Sequence, residues 1–377
     1  MTTPKLPLAK SRQFLDEIEK ALAEGHYPPS HPGINGRDKR SAVRVAGLRL
    51  GMKNGSIAST YKAAVRAANK TPDWSKWAQA DPGFQAVKTP EPDEPIEDLL
   101  EQRSKAFMRK DKAAAARKLI EVRVKIDGPF GICHFGDPHV DDDGCDLPAL
   151  RKHIEIVNST PGLFGANVGD LQNNWVGRLS HLWGEQETSK RQAWRLTEWL
   201  VTSVPWLYLV GGNHDSWSGT GDPLQWMIRN QAGVFDYDGV RLALRCPNGK
   251  EIRVNCRHDF AGHSMWNPVH GPLKAAMMGW RDHILSCGHK HVSGAMPLKD
   301  PMSGLITNVI RCAGFKKHDH YAKQKGFPDG TISPAITTII DPSKADNDPD
   351  QVTVIHGIER AAFILTAMRA SKRKVAA

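Results

Sequence analysis

Aspartate, histidine and asparagine recur in five short clusters along the chain: Asp137-Pro138-His139, Gly169-Asp170, Gly212-Asn213-His214-Asp215, His258 and Gly288-His289-Lys290-His291. Their side chains offer hard carboxylate and amide oxygens beside borderline imidazole nitrogens, the donors that two neighbouring divalent cations need. Asp137 and His139 stand two residues apart in a segment leaving a strand, so both side chains point the same way and can grip one ion. His289 and His291 repeat that spacing. A carboxylate such as Asp170 can bridge two cations through its two oxygens, and the amide oxygen of Asn213 adds a ligand without adding charge. Cations held about 3.5–4 Å apart lower the pKa of a bridging water and clamp phosphoryl oxygens, so this donor set points to metal-assisted hydrolysis of a phosphate ester. No serine or cysteine motif offers a competing covalent route.

Clusters so distant in sequence converge only on a folded scaffold. Each follows an apolar run that reads as a buried strand: 130–135 before Asp137, 163–168 before Asp170, 206–210 before Asn213, 252–256 before His258 and 284–287 before His289. Open α/β sheets place their ligands at these carboxyl ends. Helical stretches at 153–159, 183–202, 224–231 and 273–281 alternate with the runs, which predicts α/β layering. Runs at 307–312, 335–340 and 352–355 read as further strands. Residues 360–368 close the catalytic region 128–368, and 369–377 read as a frayed basic tail.

The ordered set DPH, GDLQN, GNHD, a strand-end histidine and GHKH resembles the calcineurin-like metallophosphoesterase superfamily over roughly residues 128–345. The resemblance implies an α/β fold, specifically a four-layer α/β/β/α sandwich. It implies that Asp137, His139, Asp170 and His291 hold one metal, and that Asp170, Asn213, His258 and His289 hold the other. His214 would then contact the substrate phosphate, stabilising the transition state or protonating the leaving oxygen, while Asp215 orients its imidazole through a hydrogen bond. Asn173 takes the last place of the second motif, and Asn174 and Arg178 lie close enough to line the pocket. Either His258 or His263 can serve as the fourth-motif ligand, with His258 favoured because it directly follows the strand. Mn is the expected ion, and Fe, Zn, Co, Ni or Mg also suit these donors. Asp141, Asp142 and Asp143 can tune the site or attract a third cation, but as a short charge run they read first as a solvated turn. Trp175, Trp217 and Trp266 stand beside motifs and are candidates for stacking on substrate; Trp194 and Trp199 lie in an amphipathic helix and read as core.

The formal net charge of +10 is uneven, since residues 1–80 hold 14 lysines and arginines against 6 acidic residues. That balance favours a polyanionic partner for the first segment. Phe14, Leu15, Ile18 and Leu22 share one helical face, and residues 41–50 and 57–70 read as two more helices around the turn Gly51-Met52-Lys53-Asn54-Gly55, with Ser56 as a cap and the small Ala46 allowing a close crossing. The run resembles the helix–turn–helix of DNA-binding regulators and phage proteins, which makes residues 1–70 a small all-α DNA-binding domain with Ser56, Thr60, Lys62 and Arg66 facing DNA. A helical packing or oligomerisation module is the competing reading. Residues 71–98, rich in Pro, Asp, Glu and Trp, read as a linker, and 99–127 as a connecting helix and strand.

Six cysteines without C-x-x-C spacing read as reduced core residues. The N-terminus lacks the apolar run of a signal peptide, and no stretch approaches the ~18 apolar residues of a membrane span, so a soluble cytoplasmic protein is expected. DNA is the expected substrate. A small-molecule phosphomonoesterase or cyclic-nucleotide phosphodiesterase is the second enzyme reading, and a DNA-binding protein with a structural metal domain is the third.

Overall fold

Inward and outward residues alternate along the apolar runs, and that alternation stacks two sheets face to face. The computed structural model describes residues 6–28, 41–77, 87, 93–217, 223–318, 326 and 329–376, which divide into two units, Met1–Ile96 and Glu97–Ala377. The strands of the second unit are β1 (Ile120–Arg123), β2 (Phe130–Phe135), β3 (Leu163–Asn167), β4 (Trp206–Val210), β5 (Val234–Asp236), β6 (Val240–Arg245), β7 (Glu251–Cys256), β8 (Ile284–Cys287), β9 (Gly294–Lys299), β10 (Ile306–Arg311), β11 (Ala335–Ile340) and β12 (Val352–Ile355). One six-stranded sheet has the order β12-β11-β2-β3-β4-β5 and the other β1-β6-β7-β8-β10-β9. The helices along the chain are α1 (Leu8–Ala23), α2 (Ala42–Arg49), α3 (Ile57–Ala68), α4 (Ile96–Arg117), α5 (Leu147–Ser159), α6 (Lys190–Thr202), α7 (Pro223–Ile228), α8 (His270–Met277) and α9 (Ile358–Ala376).

Strand β2 shows how the layers arise. Its Phe130 and Ile132 enter the core between the sheets, with Tyr208, Val254, Ile284 and Ile336, while Cys133 and Phe135 face outward onto the helical layer that includes Leu150, Leu200 and Leu365. The other sheet turns Leu285, Cys287 and Val309 outward onto Ala276 of α8. The result is the expected α/β/β/α order, with apolar side chains on both faces of each sheet. Strands β2, β4, β8, β11 and β12 match the apolar runs read from sequence. The short β5 and the two-faced β6 and β9 were not foreseen.

Three boundaries differ from the sequence reading. β1 pairs with β6 in parallel, so the sheet-forming unit takes in the segment read as a connector. The segment 71–98 does not begin as a linker: the Asp73 amide donates to Glu19 Oε1, and Trp74 and Trp77 pack against the α1–α3 core because their large apolar faces find a surface there. The basic tail is not frayed but continues α9 to Ala376, where Arg369 donates to Pro129 O (2.6 Å) and Lys372 Nζ lies 3.4 Å from Asp127. All six cysteines are free, and five of them are buried. No helix among the described residues is long and apolar enough to cross a membrane.

In the first unit, α1, α2 and α3 bury Phe14, Leu15, Ile18 and Leu22 against Ala42, Ala46 and Ile57. The tight approach of α2 to α3 falls at Gly47 rather than Ala46, since a Cβ on Gly47 would lie 2.8 Å from Ile57. Ser56 does not cap α3 with its side chain; its hydroxyl donates to Lys53 O instead (2.8 Å).

One polar chain crosses the apolar interior between the sheets. His134 Nδ1 lies 2.7 Å from the Tyr208 hydroxyl and Nε2 lies 3.0 Å from Thr338 Oγ1, while the same Tyr208 hydroxyl lies 2.9 Å from Ser286 Oγ in the facing sheet. Burial pushes the His134 pKa down from 6.5 to about 3, so the folded chain keeps this ring neutral. The unfolded chain binds the proton more readily, so the contribution of His134 to stability is complete above pH 6.5 and is lost as pH falls toward about 3. Acid-unfolding curves are expected to flatten in that window for His134→Gln. Tyr208→Phe, which strands two buried partners, is expected to cost about 1–3 kcal/mol in denaturant melts; an unchanged midpoint would refute the role given to this chain.

Candidate metal centre

Parallel strands end together, and that shared edge builds the site. β2, β3 and β4 are parallel neighbours and deliver Asp137, Asp170 and Asn213; β7 and β8 are parallel in the other sheet and deliver His258 and the loop bearing His289 and His291. Three overlapping triads have donor atoms within 4.8 Å of one another: Asp137, His139 and His291; His139, Asp170 and His214; Asp170, His258 and His289. Asp170 belongs to two of them, the position of a bridging carboxylate.

Individual contacts fix the orientations. His258 Nδ1 donates to Val168 O (3.0 Å), which leaves Nε2 facing Asn213 Oδ1 (3.0 Å), His289 Nδ1 (3.0 Å) and Asp170 Oδ2 (3.2 Å). A histidine held in this way through one nitrogen presents the other as a ligand. His291 Nε2 lies 3.3 Å from Asp137 Oδ2, which also accepts the His289 amide (2.7 Å). His139 Nε2 lies 3.9 Å from Asp170 Oδ2.

Two observations show that the pocket fits divalent cations. Asp137 Oδ1 and His139 Nδ1 are buried without a hydrogen-bond partner, and a bound cation would satisfy such atoms. Glycines also clear the space around the donors: a Cβ would stand 2.3 Å from Asp137 Oδ1 at Gly288, 2.0 Å from Asp170 Oδ1 at Gly212 and 2.3 Å from His258 Nδ1 at Gly169. Asp137, His139, Asp170, Asn213, His258, His289 and His291 are therefore all brought together as donors. His263 is exposed and takes no part in the triads, which resolves the fourth-motif alternative toward His258.

The backbone is bent to make this possible. His139, Asp170, Asn174, His289 and His291 have φ of 41°, 48°, 42°, 69° and 48°, a left-handed conformation that costs a non-glycine residue about 1–3 kcal/mol. The only other such residue among those described is Asn69, at the end of α3.

Charge is tightly coupled across the site. Burial opposes a charge on His258, but Asp137 and Asp170 outweigh it and push its pKa up to about 10. Burial likewise works against the Asp170 carboxylate, while His258, His139 and His214 hold it below the usual range. His139 is driven well below its ordinary value by burial. Burial and the neighbouring Asp170 push Asp215 up to about 8.

The expected Asp215–His214 contact is replaced by another arrangement. His214 Nδ1 faces Asn173 O at 2.5 Å, whereas the Asp215 carboxylate accepts the Gly212 amide (2.8 Å) and the Leu171 amide (3.2 Å). Asp215 thus ties the second and third motif loops together, because the backbone donors of both loops point at it. Asn173 turns its side-chain amide to Asp142 Oδ2 (2.7 Å), and Asn174 donates to His214 O (2.9 Å), so both act through His214 rather than as open pocket lining. Arg178 is exposed on a short 3₁₀ segment. The acidic run is not a solvated turn: Asp141 accepts the Asn173 amide, Asp142 pairs with Lys316 (2.9 Å), and Asp143 accepts the Glu187 amide. Trp175 meets the His214 ring edge-on at 5.2 Å, Trp266 is 92% exposed, and the Trp217 side chain lies outside the described residues.

Sequence reasoning missed Arg311. Buried at the end of β10, its guanidinium donates to Gly288 O, to Pro268 O (2.7 Å) and to Asp259 Oδ1 (2.9 Å), clamping the loop that carries His289 and His291. A charged residue closing the apolar run ITNVIR was the available signal, but its partners lie 23 to 52 positions away.

No family model matches the sequence, and no curated protein does. Among solved structures the chain is similar to the calcineurin-like phosphoesterase YfkN from Bacillus subtilis (13% identity, 62% of this chain and 91% of that one, TM-score 0.35). It is also similar to Vacuolar Protein Sorting 29 from Cryptosporidium parvum (14% identity, 61% and 97%, TM-score 0.31) and to a predicted phosphoesterase from Streptococcus pneumoniae (13% identity, 62% and 100%, TM-score 0.27). At these identities and scores, the chain's own geometry carries the reading of the site.

Gly288→Ala is expected to abolish calorimetric Mn binding, since the added methyl would collide with Asp137 Oδ1. Arg311→Met is expected to weaken that binding about 10–100-fold by releasing the histidine loop; unchanged affinity in both variants would contradict the assigned centre.

Proposed function

We propose that this protein is a dinuclear-metal phosphoesterase that hydrolyses phosphodiester bonds in DNA, with Mn as the working ion. The observation that carries the reading is Asp170, a buried carboxylate shared by two donor triads. Bound divalent cations would supply Lewis acidity toward the phosphoryl oxygens and a water nucleophile at neutral pH.

The chain's own residues supply position and protons. Because Asn173 O accepts from His214 Nδ1, the proton sits on that nitrogen and Nε2 points to the reaction side, 4.0 Å from Asp170 Oδ2. The imidazolium form donates a hydrogen bond to a phosphoryl oxygen and passes its Nε2 proton to the leaving oxygen as the ester bond breaks. Asn174, fastened to His214 O, and Asp215, fastened to the Gly212 and Leu171 amides, keep that ring in place. Trp175 flanks the ring, where a nucleobase or sugar can pack.

Support for DNA as substrate comes from the first unit, where Lys62 and Arg66 are exposed one turn apart on α3 with Ser56 at its start. Thr60 is half-buried and returns its hydroxyl to Ser56 O, so it helps shape the helix start more than it reaches outward. Phosphate contacts from such a helix supply affinity largely independent of base sequence.

The direct test incubates the purified full chain with single- and double-stranded DNA and a panel of small phosphoesters, each with added Mn and with chelator. Metal-dependent DNA cleavage is expected, with Asp170→Asn inactive and His214→Ala reduced about 10²–10⁴-fold, while DNA retention by Asp170→Asn is unchanged. Cleavage of small esters alone would move the substrate assignment to the small-molecule reading. Full activity of Asp170→Asn would remove the site assignment itself.

A further inference from the structure

α4 is a 22-residue helix with no buried residue, and it is well outside the metal centre in sequence. At 1.5 Å per residue it extends about 33 Å. Isolated helices of such length are marginal in water and ordinarily owe their stability to a packed face. The face exists: Ile96, Leu99, Leu100, Ala106, Phe107 and Ala113 fall along one side, and Leu100 and Phe107 are 59% and 66% exposed.

Charge and size both indicate what covers it. The first seven residues, 96–102, carry Glu97, Asp98 and Glu101 and no basic residue, whereas the remainder carries Arg103, Lys105, Arg109, Lys110, Lys112 and Arg117 against Asp111 alone. The bulky apolar residues Ile96, Leu99 and Leu100 stand at the acidic end, and the run Ala113–Ala116 stands at the basic end. A parallel copy would set acid against acid and bulk against bulk. An antiparallel copy sets the acidic, bulky half on the basic, small half twice over, through one self-complementary surface of the kind a two-fold dimer uses.

We infer that α4 is a dimerisation helix whose partner is α4 of a second copy of this chain, packed antiparallel. The inference stands apart from the proposed hydrolysis, because no α4 residue belongs to the metal centre. Phe107 lies near the middle of the seam. The acidic and basic halves set its direction, because reversing one copy would oppose like charges along the whole length.

Light scattering on the full chain tests it, with Mn affinity and circular dichroism reporting that the fold is intact. The wild type is expected at the mass of two chains. Phe107→Glu and Leu100→Glu are each expected at the mass of one, with helix content and Mn affinity retained. Glu97→Lys with Glu101→Lys is expected to weaken association at least tenfold, and Lys110→Glu with Lys112→Glu added to the same chain is expected to restore it. Leu99→Cys chains mixed with Ala113→Cys chains are expected to cross-link on oxidation, whereas Leu99→Cys alone is not. A monomeric wild type, a dimer indifferent to Phe107→Glu, or self-cross-linking of Leu99→Cys would each overturn the inference.

Discussion

Buried negative charge is the constraint on which this structure turns. Asp137, Asp170 and Asp215 are all almost wholly removed from water at the ends of neighbouring strands, where unpaired carboxylates are costly. The chain answers with three kinds of compensation. Imidazoles crowd the carboxylates, as the upward pull on His258 and the downward pull on Asp170 record. Backbone amides are aimed at Asp215 and at Asp137 Oδ2. The proton itself is retained on Asp215 up to about pH 8. Asp137 Oδ1 is left without any of these, which is why a cation suits the place so well.

The same constraint accounts for the local distortions. A donor can reach a shared point from a strand end only if the chain turns abruptly there. His139, Asp170, His289 and His291 make that turn in the left-handed region, where glycine would be the cheaper choice but has no side chain to offer. Glycine appears instead at 169, 212 and 288, where the backbone must pass close beside a donor. Residue type at each position thus divides the labour between coordination and clearance. The clamp from Arg311 holds the 288–291 loop in this shape from behind.

Much of this was legible in sequence because strand ends are periodic signals. Five apolar runs predicted where the ligands emerge, and 284–287, 206–210 and 335–340 needed no adjustment at either end. β6 escaped because its VRLALR pattern mixes arginines with apolar residues, and β9 because GAMPLK has little β-branched content. Pairing partners were the illegible part. Nothing in the residue order tells that His214 leans on the Asn173 carbonyl, that Asp215 serves two backbone loops, or that Trp74 and Trp77 fold back onto α1–α3, since each depends on three-dimensional return of the chain.

Strand order also governs how the molecule must come into being. β2 lies between β3 and β11, yet β11 is made some two hundred residues later, as the Phe130–Ile340 pairing shows. Throughout synthesis on the ribosome, therefore, the nascent chain carries β2 as an unpaired apolar margin, open to any stray strand in reach. Late closure of this kind is slow and favours escort by a chaperone until β11 emerges. Truncation anywhere before Ala335 would leave that margin permanently open, making premature termination a route to aggregation rather than to a smaller working protein.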